Sequence, residues 1–141
     1  MPLKLRMRPG ERVIVNGVVL RNQGGRAVEL EVLNRGTILH ERDIMLPDQA
    51  TTPHNQIYFL LQAMHLDEGD REAAYRQALA VTSRLFLEST ERGDHETMDL
   101  VADIVRLIGE RDYIGGMRRL QKVIGRPGDA RKGSDGDGAD A

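Results

Sequence analysis

Arg12-Val13-Ile14-Val15-Asn16-Gly17-Val18-Val19-Leu20-Arg21 is the stretch that decides the fold. Two runs of β-branched and aliphatic residues flank Asn-Gly, the dipeptide that best supplies the two positive φ angles of a type I′ turn. The segment therefore reads as a β-hairpin. Upstream, Leu3, Leu5 and Met7 alternate with Lys4, Arg6 and Arg8, the period of a strand with one apolar and one basic face. Pro9-Gly10 turns that strand into the hairpin. Downstream, Gly24-Gly25 leads into Ala27-Val28-Glu29-Leu30-Glu31-Val32-Leu33, and Asn34-Arg35-Gly36 leads into Thr37-Ile38-Leu39-His40. Five short strands in succession predict a small antiparallel meander.

The period changes after Pro47. Thr52-Pro53 marks a helix start, with Thr as N-cap and Pro at the first helical position, where its missing N–H costs nothing. Ile57, Leu60, Leu61 and Met64 then share one face. A second helix is expected from about Asp70 to Glu88 with Tyr75, Ala78, Leu79, Thr82, Leu85 and Phe86 inward. A third starts at Asp94 and is apolar on several sides, which predicts a central position. A fourth carries Tyr113, Met117, Leu120 and Ile124, and its Gly115-Gly116 suits close packing or a hinge. From Arg126 on, hardly an apolar side chain occurs, and the composition is that of a disordered tail. The expected class is α+β. A basic antiparallel β-sheet (1–46) precedes a bundle of three or four helices packed with it (47–125), and a disordered tail follows (126–141).

Composition narrows the chemistry. The 141 residues include no Cys and no Trp, and aromatics are 4%. A disulfide scaffold, a Cys-ligated zinc and a thiol nucleophile are excluded. His40, His54, His65 and His95 are not at metal-ligand spacing, so neither metal nor cofactor is expected. Gly24-Gly25 lies between strands and cannot aim a helix N-terminus at a phosphate. His40-Glu41-Arg42-Asp43 sits at a strand exit and reads as a solvated end. No catalytic residue emerges, and an enzyme is not expected. The start has no continuous apolar stretch of a signal peptide, and no run approaches membrane-spanning length. The expected location is the cytoplasm, with no membrane contact.

The net charge of -2 conceals a split. Residues 1–46 carry a net of +3 and residues 47–90 a net of -3, which suggests two surfaces for two kinds of partner. Lys4, Arg6 and Arg8 share a strand face, and Arg12, Arg21 and Arg26 flank the neighbouring turns. The candidate RNA-binding residues are Lys4, Arg6, Arg8, Arg12, Arg21 and Arg42. With every Tyr and Phe in the helical part, Arg and backbone rather than stacked rings would do the reading.

Pro9-Gly10-Glu11-Arg12, Asn16-Gly17, Arg21-Asn22, Glu41-Arg42-Asp43-Ile44-Met45, Thr52-Pro53 and Ile57-Tyr58-Phe59-Leu60-Leu61-Gln62 occur in this order and spacing. In these the chain resembles the FlbT family of flagellum biosynthesis repressors of α-proteobacteria, over roughly residues 3–125. One departure is His54-Asn55-Gln56, where basic residues are expected. The resemblance implies a post-transcriptional repressor that associates with the 5′ untranslated region of flagellin mRNA and promotes its degradation. It implies the flagellin leader as partner, with flagellin itself or the FlaF regulator as further ones. Arg8-Pro9-Gly10-Glu11 and His40-Glu41-Arg42-Asp43-Ile44 are more faintly similar to the carbon storage regulator CsrA, which implies paired first and last strands. A homodimer through the β-sheet is open on this reading. The alternative function is a flagellin-binding adaptor or export-chaperone module acting through the helical half.

Overall fold

The computed structural model describes residues 3–135. It is α+β, with five strands followed by five helices. The chain divides into two compact units, one ending at Ile44 and one beginning at Met45.

The first unit holds β1 (Leu3–Met7), β2 (Arg12–Val15), β3 (Val18–Arg21), β4 (Val28–Val32) and β5 (Ile38–His40). Asn16 and Gly17 take φ of 49° and 83°, the two positive values a type I′ turn requires. All pairings are antiparallel, but their order is not that of a meander. β1 pairs with β4 in a two-stranded ribbon, and β3-β2-β5 form a second sheet. The first and last strands are not neighbours, contrary to what the CsrA likeness implies.

Two asparagine side chains account for this order. Asn22 Nδ2 donates to the carbonyls of Met7 (3.0 Å) and Arg26 (2.8 Å), while its Oδ1 accepts from Gly24 N–H at 3.0 Å. The chain leaving β3 is thereby folded back past the end of β1, and Val28 arrives opposite Met7. Asn16 does the same for β5: its N–H donates to Thr37 O and its Oδ1 accepts from Thr37 N–H, both at 2.8 Å. Met7, Val13 and Leu39 are buried, Leu5, Ile14, Val15, Val32, Ile38 and Ile44 are half-buried, and Leu3, Val18, Val19, Leu20, Val28, Leu30 and Leu33 are exposed.

The second unit contains α1 (Pro53–Leu66), α2 (Arg71–Arg92), α3 (His95–Gly109), α4 (Tyr113–Ile124) and α5 (Pro127–Asp135). Thr52 caps α1 by accepting from Asn55 N–H at 3.2 Å, with Pro53 at the first turn. The helices α1 to α4 form a ring in which α1 and α3 each touch α2 and α4. The expectation of a central α3 is thus corrected. It buries one face (Leu100, Val101, Ile104, Ile108), and Val105 is exposed.

A second correction concerns α2. Its buried stripe is Ala74, Ala78, Thr82, Leu85 and Ser89, while Tyr75 and Phe86 lie at the surface. α1, with Ile57, Tyr58, Leu61 and Met64 buried, packs against α2, whose buried stripe is made mostly of small side chains. Thr82 and Ser89 are buried without penalty because their hydroxyls donate to Ala78 O (2.8 Å) and Leu85 O (2.7 Å). Gly116 serves close packing: a Cβ there would stand 3.0 Å from Leu61 Cδ1.

A third difference lies in the segment expected to be a disordered tail, where Pro127–Asp135 is helical. Polar bonds hold it, since Gln49 Nε2 donates to Pro127 O at 3.1 Å and Arg131 donates to Gln49 Oε1 at 3.0 Å. Apolar periodicity carries no trace of such bonds. Residues 136–141 of that expected tail lie outside the described residues.

Asp94 caps α3, accepting from the Thr97 hydroxyl at 2.6 Å and from Thr97 N–H at 3.1 Å. These bonds, aided by nearby Arg92, hold its carboxyl below the ordinary 3.8. A lowered native pKa adds stability that is complete above the unfolded value and is lost as pH falls through the native one. Asp94→Ala should therefore melt earlier than the parent at neutral pH. The gap should close as the pH drops below 3.8, which thermal melting at a series of pH values measures.

Candidate nucleic-acid interface

The six candidate basic residues all lie in the β unit or at its exit, but they do not form one stripe. Lys4 and Arg6 project from the same side of β1, opposite Leu3, Leu5 and Met7, as the alternation requires. Across the ribbon, however, Lys4 faces Glu31 and Arg6 faces Glu29. Directly opposed residues of an antiparallel pair have Cβ atoms about 5 Å apart, so the two cations share their face with two anions. The charged side of the ribbon is close to neutral. Its other side is apolar throughout: Leu3 opposite Val32, Leu5 opposite Leu30, Met7 opposite Val28. Glu29 and Glu31 are readable as one face of their own strand, but only the β1–β4 register sets them against the cations.

Arg8 follows β1 in the turn, where its N–H donates to Glu11 Oε1 at 2.7 Å, and its side chain is exposed. Arg12 is bound to Glu41: Nε donates to Oε1 at 2.7 Å, Nη2 lies 2.6 Å from the same oxygen, and the Arg12 N–H donates to Oε2 at 3.1 Å. Arg21 stands directly across from Arg12 in the β2–β3 ladder and is exposed. Arg42 sits in the 3-10 turn Glu41–Asp43, its N–H accepted by His40 Nδ1 at 3.2 Å. With Nδ1 an acceptor, the proton of neutral His40 is on Nε2, which lies 3.4 Å from Glu11 Oε2. His40 and Glu41 are thus structural: His40 caps the turn, and the two tie the end of β5 to Glu11 and Arg12, just after the Pro9-Gly10 corner.

What the fold brings together is therefore Arg12 and Arg21 on one face of the hairpin, with Arg42 following the glutamate that orients Arg12. Like charges directly opposite each other destabilise a ladder, and an anion seated between them removes that cost. Forked guanidinium donors match the oxygens of carboxylate and of phosphate; the Glu41 carboxylate takes Nε and Nη2 of Arg12, and a phosphate would share that guanidinium with it while meeting Arg21 across the ladder.

The helical unit carries two features that the sequence does not announce. One is a cleft of about 430 Å³ lined by Glu68, Arg71, Tyr75, Arg111 and Tyr113 among others, with the Arg71 guanidinium 5.4 Å from the Tyr113 ring centre. Tyr75 is 41% exposed there, so one aromatic ring expected inside is at the surface. The other is an open apolar groove of about 360 Å³ between α1 and α2, floored by Ala50, Phe59, Leu60, Ala80 and Val81. No helix among the described residues is long and apolar enough to cross a membrane.

The family described as flagellar protein FlbT matches residues 3–126. The chain is 47% identical over 77 residues to the flagellum biosynthesis repressor protein FlbT of Caulobacter vibrioides strain CB 15, covering 55% of this chain and 54% of that one. It is 34% identical over 103 residues to the probable flagellum biosynthesis repressor protein FlbT of Brucella anthropi, covering 73% of this chain and 66% of that one. The chain spans about half the length of the Caulobacter relatives it matches. No solved structure matches it significantly.

Proposed function

This chain belongs to the FlbT family of flagellar proteins, and we propose that it represses flagellum biosynthesis after transcription, associating with the 5′ untranslated region of flagellin mRNA and promoting its degradation. The repressor role is taken from the names of the relatives. The observation that carries the RNA reading is the Arg12–Arg21 pair, two guanidinium groups held across a ladder on an exposed face. On this reading the protein acts in the cytoplasm by binding, without catalysis of its own, and a nuclease does the cutting. Arg12, Arg21 and Arg42 contact phosphates. Lys4, Arg6 and Arg8 add attraction at longer range, weakened for Lys4 and Arg6 by Glu31 and Glu29.

A second reading keeps a separate observation in its favour. The α1–α2 groove and the surface positions of Phe86 and Leu87 suit an apolar partner helix, as an adaptor or export chaperone for flagellin would need, with FlaF as another occupant. Binding of the purified protein to a flagellin leader, measured across salt with and without flagellin, separates the two. Direct contact predicts that log affinity falls by ~0.7 per log unit of salt for each phosphate neutralised on a single strand. Two or three neutralised phosphates give a slope of roughly 1.4 to 2. A flat response, or binding only when flagellin is present, rejects the direct reading and supports the adaptor.

A further inference from the structure

β3 is one of the two edges of its three-stranded sheet, the short β5 being the other. Its make-up is what an unpaired edge ordinarily avoids. Val18, Val19 and Leu20 follow one another at 57%, 59% and 45% exposure, with no Lys, Pro or bulge among them. The backbone groups it offers follow from the hairpin. A two-residue turn makes Val15 and Val18 a hydrogen-bonded pair, and bonded and non-bonded pairs alternate from there. Val13 and Leu20 are then bonded, while Ile14–Val19 and Arg12–Arg21 are not. The next bonded pair is observed directly, with Asn22 N–H donating to Glu11 O at 2.9 Å. The N–H and C=O groups of Val19 and Arg21 thus point away from β2, and no described residue takes them up.

We propose that β3 pairs with β3 of a second copy of this chain, antiparallel about a two-fold axis at Leu20. Leu20 meets its own symmetry mate in a non-hydrogen-bonded pair. Val19 of each copy lies opposite Arg21 of the other, and the outward groups of Val19 and Arg21 close four backbone hydrogen bonds. Two three-stranded sheets become one of six strands, an isologous contact that closes on itself.

Charge selects this edge and this occupant. Self-pairing of β1 about Leu5 would set Lys4 against Arg6 of the other copy, and self-pairing of β4 about Leu30 would set Glu29 against Glu31. Both put like charges face to face, which destabilises a ladder. β3 brings only Val19 to Arg21. A nucleic-acid strand presents no alternating donors and acceptors to meet such an edge. The inference does not depend on RNA binding, so either can fail alone.

The chain has no cysteine, so Leu20→Cys in the full-length protein places a lone thiol on the axis. Across a non-hydrogen-bonded pair the Cα atoms are about 4.5 Å apart, within disulfide span. Mild oxidation should convert Leu20→Cys to a covalent dimer and leave Val28→Cys, on exposed β4, without a crosslink. In sedimentation the parent should be a dimer. Val19→Lys should be a monomer, because it sets Lys against Arg21 of the other copy, whereas Val19→Glu should remain a dimer. Val19 is exposed enough that both variants should keep the parent's circular dichroism; if Val19→Lys does not fold, the cysteine pair decides. A monomeric parent at every concentration overturns the proposal. So does loss of the dimer in both Val19 variants, or equal crosslinking of Val28→Cys and Leu20→Cys.

Discussion

Gln62→Leu should lower the stability of the helical unit by about 2–4 kcal/mol. Gln62 lies on α1, 7% exposed, and its amide clasps the backbone of Met45 from both sides. Oε1 accepts from Met45 N–H at 2.7 Å, and Nε2 donates to Met45 O at 2.9 Å. Leucine fits the volume but leaves a buried donor and a buried acceptor without partners. Each such group costs about 1–3 kcal/mol, far more than the net worth of the bond itself. For a unit of this size, the loss corresponds to a melting temperature lower by roughly 10–20 °C. Gln62→Glu should fall between the two, keeping the acceptor and losing the donor. Thermal unfolding followed by circular dichroism measures all three. Equal melting of parent and Gln62→Leu would show that Met45 finds other partners.

Arg12→Ser combined with Arg21→Ser should reduce affinity for the flagellin leader by about tenfold for each guanidinium removed. The salt slope should fall by ~1.4, two phosphates' share on single-stranded RNA. Because phosphate contacts position the RNA rather than read it, the loss should be alike on matched and unrelated leaders. Stability should hardly change. The Arg12–Glu41 bridge is half-exposed, with Arg12 56% and Glu41 25% accessible, and such pairs contribute about 1 kcal/mol or less. Lys4→Ser with Arg6→Ser is the comparison. Their face already carries Glu29 and Glu31, so the slope should move less. The opposite ranking, with the Lys4 and Arg6 variant losing more, would move the interface to the β1–β4 ribbon and reject the hairpin face.

The candidate interface is only half legible in the sequence. Alternation in Leu3–Met7 sorts the cations from the apolar residues correctly, since a period of two follows from strand geometry alone. It cannot show what faces them, because a cross-strand neighbour is chosen by topology. Glu29 and Glu31 lie 23 and 27 residues from Arg6 and Lys4 in sequence, and the Asn22 side chain, bonded to Met7 O and Arg26 O, brings their strands together. The exposed ring of Tyr75 is hidden from the sequence for a related reason. Tyr75 and Ala74 are adjacent on α2, and which of them turns inward is settled by how α2 packs on its neighbours, where Ala74 is buried and Tyr75 is not.

What the sequence determined alone is what a few neighbouring residues can enforce. Asn16-Gly17 makes a type I′ turn because its dihedrals are allowed locally, and Thr52-Pro53 starts a helix because a side-chain oxygen and a missing N–H act within one turn. The five strands, the four main helices and the family likeness all rest on such short-range signals. The tertiary structure alone decided the strand order, the buried face of α2, the ring of helices in place of a central α3, and the helix at Pro127–Asp135. Each of these turns on a bond or a fit between residues far apart in the chain: Asn22 with Met7, Ala78 against α1, Gln49 with Pro127 and Arg131. Hydrophobic periodicity records which side chains leave water, and it carries no information about which partner each of them meets.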